Sequence, residues 1–383
     1  MQSLNKVYRI CGRCIMDSSD PAISFFEDGS CNHCTLYLRT MTKIIAHRQD
    51  PSYDLKKIFE QIKFAGRQKQ YDCIVGVSGG VDSSYIAWLC QKEGLRPLLV
   101  HLDNGWNSEL AVKNIQKIIE KTNFDLHTHV INWEEFKDLQ RSFFKASVID
   151  IELLSDHAIF AVIYRLALKF RIRYVLSGFN FATEGIMPQT WFHAKRDLRN
   201  ILDIHRKFGQ KKLKTFPQLS TFAYGLINTT GLVKSIDVLN HLDYKKSETI
   251  ALLKEAFDWT PYEQKHFESK FTRFYQGYIL PEKFGVDKRR AHLSALICNG
   301  EISRGEALES LTPQTYDENA RRLDLDLVVS KLGFSREEIE EYIRQSPRSH
   351  FEYKSDQKFI LFLKQLKAQV DKFRGLRGNL LES

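Results

Sequence analysis

The sequence predicts an α/β protein in which a parallel-sheet domain follows a small metal-binding unit and precedes a helical region. Three observations predict it. Four of the seven cysteines form two CxxC pairs within the first 34 residues. From residue 71 onward, short apolar runs alternate with helical patterns, which indicates βαβ units and a mainly parallel sheet. After residue 245 only helical spacing remains. The expected division is 1–45, 50–245 and 246–383.

The N-terminal unit reads Cys11-x2-Cys14-x16-Cys31-x2-Cys34, with turn signals at Asp20-Pro21 and Asp28-Gly29. Each pair can present two thiolates from one turn, and two such turns close a tetrahedron. The spacing is that of a zinc ribbon, with Cys11, Cys14, Cys31 and Cys34 as Zn2+ ligands. A four-thiolate site has no open position, so its role is structural; an iron–sulfur cluster is the rival occupant. His33 is read as solvent-facing, and Cys73, Cys90 and Cys298 as core residues. A polar linker is expected at 47–54.

The sheet domain opens with a strand at 73–77, a helix at 83–91 stopped by Gly94, and a strand at 96–102. An amphipathic helix at 108–121, a strand at 126–131, a long buried helix at 156–170 and a strand at 174–176 follow. Helical spacing then recurs at 246–257, 262–275, 287–298, 336–344 and 356–373. No run approaches the about 18 apolar residues of a spanning helix, and no apolar leader precedes the cysteines. A cytoplasmic protein with no membrane partner is expected. The net charge of +9 favours a polyanionic ligand without choosing among nucleic acid, nucleotide and nucleotide-sugar. Nucleic acid is disfavoured because the basic residues are scattered rather than blocked.

The strongest chemical signal is Ser78-Gly79-Gly80-Val81-Asp82-Ser83-Ser84, set between the first strand and its helix. Two glycines let the backbone approach an anion, and the helix start offers unpaired N–H groups. Ser78, Ser83 and Ser84 add hydroxyls. No Walker lysine follows. The stretch Ser177-Gly178-Phe179-Asn180-Phe181-Ala182-Thr183-Glu184 leaves a later strand at its C-terminal end, where ligands collect in parallel sheets.

These motifs resemble those of the PP-loop ATP pyrophosphatases, the adenine nucleotide alpha hydrolase-like fold, which cleave ATP to AMP and pyrophosphate. The resemblance implies ATP binding by Ser78, Gly79, Gly80, Asp82, Ser83 and Ser84, with Asp82 helping to hold Mg2+. Such enzymes place adenine near the end of the second strand, which points to Asp103, and Gly178 and Asn180 belong to the same nucleotide site. The spacing from Gly178 to Glu184 looks like the segment of ammonia-dependent NAD synthetases whose glutamate binds Mg2+, so that role is carried to Glu184.

Cys11–Pro21 with Gly29–Cys34, Asp103-Asn-Gly-Trp-Asn107, Ser177-Gly-Phe-Asn180, the block from His266 to Tyr278 and the block from Gly285 to Ser294 are similar to the bacterial N-acetyl sugar amidotransferases. That family serves lipopolysaccharide O-antigen and nonulosonate biosynthesis. The resemblance spans roughly residues 8–310. It implies conversion of an acetamido group on a nucleotide-sugar to an acetamidine through an O-adenylyl imidate. Asp82 and Glu184 are the expected catalytic carboxylates. Gln2 is no N-terminal nucleophile, and no Gly-x-Cys-x-Gly elbow occurs. The family therefore implies a separate glutaminase, in some systems with a cyclase-like subunit that channels ammonia. Lys288, Arg289 and Arg290 are either contacts to a diphosphate or carboxylate, or merely a basic helix start. Further substrate candidates are His266 and Arg273, read as one helix with Glu268, and Asp197 in the segment 191–200. Two other readings stay open: a tRNA-thiolating PP-loop enzyme and a non-enzymatic zinc-ribbon RNA-binding protein.

Overall fold

The computed structural model describes residues 8–262, 268–312, 317–357, 359, 360 and 362. Strands β1 (Cys73–Gly76), β2 (Pro97–Asp103), β3 (Leu126–Val130), β4 (Tyr174–Ser177) and β5 (Lys234–Asp237) form one parallel sheet in the order β3-β2-β1-β4-β5. Cys73 lies opposite Pro97 on one side and Tyr174 on the other. The order reverses direction at β1 and β4. The crevice at the C-terminal ends of these two strands is thus the switch point at which such sheets bind ligands.

Alternation along the strands divides the core. Cys73, Val75, Val77 and Leu99 point to one face, and Ile74, Leu98 and Val100 to the other. The first face packs on α2 (Leu55–Gly66), α3 (Val81–Lys92), α4 (Glu109–Thr122) and α10 (Lys246–Phe257). The second face packs on α5 (Trp133–Ala146) and α6 (Leu153–Lys169). That core continues into the cysteine unit and into α13 (Lys288–Cys298), α15 (Glu318–Leu332) and α16 (Arg336–Arg344).

Several elements differ from the sequence expectation. The chain after Cys31 forms α1 (Asn32–Gln49), an 18-residue helix, so the expected linker begins only at Asp50. Strand β5, Lys-Ser-Ile-Asp, escaped notice because an exposed polar edge strand has no apolar alternation. The helix expected at 262–275 is corrected. Residues 263–267 lie outside the described residues, Ser269 pairs antiparallel with Asn107, and α11 starts only at Lys270 because Ser269 caps the Thr272 N–H. A π-helical turn, Tyr275–Ile279, joins α11 (Lys270–Phe274) to α12 (Leu280–Phe284). Helix 246–257 forms as expected, whereas most of 356–373 lies outside the described residues. No helix among the described residues is long and apolar enough to cross a membrane.

Candidate functional site

A cleft of about 830 Å³ opens at the switch point, lined by Gly80, Asp82 and Ser83 on one side and by Glu184, Glu268 and Lys288 on others. The Ser78–Ser84 turn is held in shape by its neighbours. Gly79 has φ +82°, a region that disfavours side chains, and a Cβ there would lie 2.6 Å from the Ala111 carbonyl oxygen. The Gly79 carbonyl accepts from Trp259 Nε1 at 3.0 Å, Tyr262 Oη at 3.2 Å and Asn114 Nδ2 at 3.4 Å. Pinning that carbonyl away leaves the amides at the start of α3 for the cleft. Gly80 has an ordinary φ of −73°, so its conformation does not require glycine. A Cβ there would meet the Glu268 carboxylate at 2.6 Å. Gly80 therefore preserves space.

The hydroxyls divide their work. Ser83 Oγ donates to the Gly80 carbonyl at 3.2 Å and accepts from the Ser78 N–H at 3.3 Å, at the cleft wall. Ser84 is fully buried and its hydroxyl donates to the same carbonyl at 2.7 Å. The structure thus turns Ser84 inward, away from any ligand. Asp82 accepts a short hydrogen bond from the Tyr244 hydroxyl. Burial, reinforced by the Asp82 charge, pushes the Tyr244 phenol far above its ordinary pKa, so its proton stays in place to orient the carboxylate.

Glu184 reaches the cleft from α7 (Phe181–Glu184). Gly178 brings that loop against the first turn of α3, where a Cβ would sit 3.3 Å from the Asp82 carbonyl carbon and the Ser83 nitrogen. Asn180 does not line the cleft, and its Nδ2 is buried without a hydrogen-bond partner. It is fully buried and caps α7, its Oδ1 accepting from the Thr183 N–H and hydroxyl, both at 2.8 Å. Asp103 likewise shapes a turn, accepting from Gly105 N–H at 2.9 Å and Asn107 Nδ2 at 3.3 Å, while its neighbours Leu102 and Asn104 line the cleft.

The expected substrate residues scatter. Lys288 lines the cleft but pairs with Glu152 at 3.0 Å. Arg289 pairs with Asp287 at 2.7 Å, and Arg290 with Asp17 at 2.9 Å, which ties α13 to the cysteine unit. Arg273 is engaged by Asp324 through two 2.6 Å hydrogen bonds. Asp197 is fully buried, bonded to His193, Ser355 and the Asn200 and Asp356 amides. None of these last four lines the cleft. His266 lies outside the described residues. Tyr244, Trp259 and Asn114 were missed as site residues, and Lys195 lay within the candidate segment 191–200 without being singled out.

The four N-terminal cysteines converge in the interior. Their sulfurs all lie within 4.8 Å of one another, and Cys11–Cys34, Cys14–Cys31 and Cys31–Cys34 separations are 3.8, 3.7 and 3.7 Å. Ligands at about 2.3 Å from a tetrahedral centre stand about 3.8 Å apart, so the donor set fits Zn2+. The Arg13 and Cys14 amides point at Cys11 Sγ, both at 3.4 Å. Arg304 grips the Cys11 and Cys14 carbonyls. His33 faces Asp20 at 2.6 Å and is only 14% exposed, in place of the solvent-facing position expected. Among the described residues this is the only group of three or more His, Cys, Asp or Glu side chains close enough to share an ion. Asp82 and Glu184 suit Mg2+, a hard cation that takes one or two carboxylates and completes its shell with phosphate and water.

Residues 268–367 match the family model described as LPS biosynthesis protein WbpG-like, C-terminal domain. Over those residues the chain is similar to the WbpG-like C-terminal domain. Glu268 and Lys288 carry that domain directly into the cleft. Among solved structures, the chain is similar to NMN synthetase from Francisella tularensis (15% identity, 59% of this chain and 92% of that one, TM-score 0.30). It is also similar to an NH3-dependent NAD synthetase from Campylobacter jejuni (18%, 55% and 100%, 0.27). A predicted tRNA methyltransferase subunit from Methanocaldococcus jannaschii matches over 48% of this chain and 74% of that one (15% identity, TM-score 0.28). No curated protein matches the sequence significantly.

Proposed function

We propose that the chain is an ATP-dependent amidotransferase that converts an acetamido group of a nucleotide-sugar to an acetamidine in surface-polysaccharide biosynthesis. One observation carries this reading. The Ser78–Ser84 turn and the WbpG-like domain form two walls of a single cleft. An amide is a poor electrophile because its oxygen would leave as oxide. Attack of that oxygen on the α-phosphorus of ATP expels pyrophosphate and gives an O-adenylyl imidate. Ammonia adds at carbon, AMP departs with the former acetamido oxygen, and the product is an amidine.

The amides at the start of α3, with the Ser83 hydroxyl, would receive the leaving pyrophosphate. Asp82, oriented by Tyr244, and Glu184 would hold Mg2+, which neutralises phosphate charge. Ammonia would come from a separate glutaminase, with a cyclase-like channelling subunit as a further candidate partner.

The test is mass spectrometry of reactions containing ATP, an acetamido nucleotide-sugar, and either ammonium or glutamine. Ammonium should give AMP, pyrophosphate and a sugar lighter by about 1 Da and carrying an amidinium, which stays protonated as a guanidinium does. Glutamine alone should fail. ADP as product, an unchanged sugar, or sulfur transfer to tRNA would overturn the reading.

A further inference from the structure

Away from the phosphate loop, the cleft wall is chemically different. Lys288 Nζ lies 3.0 Å from Glu152 Oε2, and Gln276 Nε2 donates to the same oxygen at 2.8 Å. Lys195 pairs with Asp156 at 2.8 Å. All five residues line the cleft, and they arrive from distant segments. Glu152 precedes α6, Asp156 sits in its first turn, Lys195 lies before α8 (Leu198–Phe208), Gln276 stands in the π-helical turn and Lys288 opens α13. We propose that this wall binds the hydroxyl-bearing ring of the acceptor sugar, an assignment that rests on the amidotransferase reading.

The charge balance argues against a phosphate here. Both lysines are already neutralised by carboxylates, and buried Asp150 adds a third acid to the same wall. A polyol fits instead, because each hydroxyl both donates and accepts. A lysine ammonium has three donors and a carboxylate about four acceptor positions, so each ion pair keeps capacity after its internal bond is made. The pairs are also graded in depth. Glu152 and Lys288 side chains are 13% and 15% exposed, whereas Asp156 and Lys195 are 41% and 59% exposed. One pair forms the floor and the other the rim. Ile159, Met187 and Phe192 provide apolar surface beside them for the C–H face of a ring.

A second observation comes from the backbone. Gln276 stands in a π-helical turn, an insertion that costs helix regularity and recurs at functional sites. The turn is tied down by a short hydrogen bond from the Tyr275 hydroxyl to the Ile149 carbonyl. This bond joins the WbpG-like domain to the segment that carries Asp150 and Glu152.

The experiment uses the full-length, metal-loaded protein with UDP-N-acetylglucosamine and UDP-N-acetylgalactosamine as probes. Calorimetry measures their binding and that of MgATP to wild type, Gln276→Met and Lys195→Met. Each variant should weaken binding of an acetamido sugar nucleotide by about tenfold or more, the effect of losing a hydrogen bond to a charged group, with MgATP affinity unchanged within about twofold. Unchanged MgATP binding also shows that the variants are folded. Sugar binding equal to wild type overturns the subsite and leaves the proposed function standing. Weakened MgATP binding assigns the wall to the nucleotide and overturns it. An altered KM for ammonium alone makes it an ammonium site and also overturns it. Wild type that neither binds nor converts either sugar removes the proposed function and this assignment together.

Discussion

Gly79 and Gly80 are adjacent, yet their replacement by alanine should have opposite consequences. In Gly79→Ala the new Cβ meets backbone, lying 2.6 Å from the Ala111 oxygen and 3.0 Å from its Cα, at a φ of +82°. A non-glycine residue in the left-handed region costs about 1–2 kcal/mol, and forcing atoms into a packed site costs about 1–3 kcal/mol more. Neither α4 nor the Gly79 carbonyl, held by Trp259 and Tyr262, can yield cheaply. The sum is about 3 kcal/mol, and at roughly 2–4 °C per kcal/mol the thermal midpoint should fall by about 6–12 °C. In Gly80→Ala the backbone is already alanine-compatible, and the clash is with the end of the flexible Glu268 side chain. Its midpoint should move by no more than about 3 °C, from a change below about 1 kcal/mol. The methyl group nevertheless stands at the proposed phosphate site, between Ser78 Oγ and the Glu268 carboxylate, so MgATP binding should weaken at least about a hundredfold, as expected when backbone cannot approach an anion. Thermal unfolding and calorimetric titration of both variants check this. A Gly79→Ala protein as stable as wild type, or a Gly80→Ala protein that binds MgATP normally, would refute the reasoning.

Cys14→Ser should lower zinc from one ion per chain toward none and destabilise the protein, because structural zinc contributes folding energy directly; iron with a visible charge-transfer band in the wild type would contradict the assignment. Asp82→Ala and Glu184→Ala should abolish turnover with the fold intact, and a Glu184→Ala enzyme with wild-type kcat and magnesium dependence would remove Glu184 from the site. Tyr244→Phe should lower kcat by about tenfold, the effect of losing an orienting hydrogen bond, and an unchanged kcat would deny Tyr244 that role. Burial pushes the Asp150 carboxyl up to about 6 from 3.8. Folded protein therefore binds this proton more readily than unfolded protein, and the contribution of Asp150 to stability falls as pH rises from about 4 to about 6. The stability of wild type relative to Asp150→Asn should drop over that window by up to about 3 kcal/mol, measured by denaturant unfolding at several pH values; a flat difference would show that Asp150 titrates normally.

Motifs written in contiguous residues were legible from the sequence alone. The two CxxC pairs specify a four-thiolate site because each pair is one turn, whatever the rest of the chain does. The Ser78–Ser84 run specifies a tight glycine turn into a helix for the same reason: its glycines and its helix start lie within a few residues, and β1 and α3 flank it as the pattern required. The continuous apolar run Cys73–Val77 and the helical spacing in 246–257 likewise reported a buried strand and a helix, since local pattern records the interior an element meets.

Tertiary structure alone decided what each polar side chain does once the interior closes. Ser84 and Asn180 belong to the right motifs, yet folding commits the Ser84 hydroxyl to the Gly80 carbonyl and the Asn180 Oδ1 to capping the Thr183 amide. Arg273 and Arg290 look free in a sequence, but each meets its carboxylate only when segments 51 and 273 residues apart are brought together, and Asp197 adds to its local bonds a contact with Ser355, 158 residues away. Lys288, Lys195 and Gln276 each fell within a segment the sequence singled out, but nothing in it brought them together with Glu152 and Asp156 as one wall. Five residues from four segments share neither spacing nor period, and the contact between them exists because the WbpG-like domain packs across the switch point of the sheet.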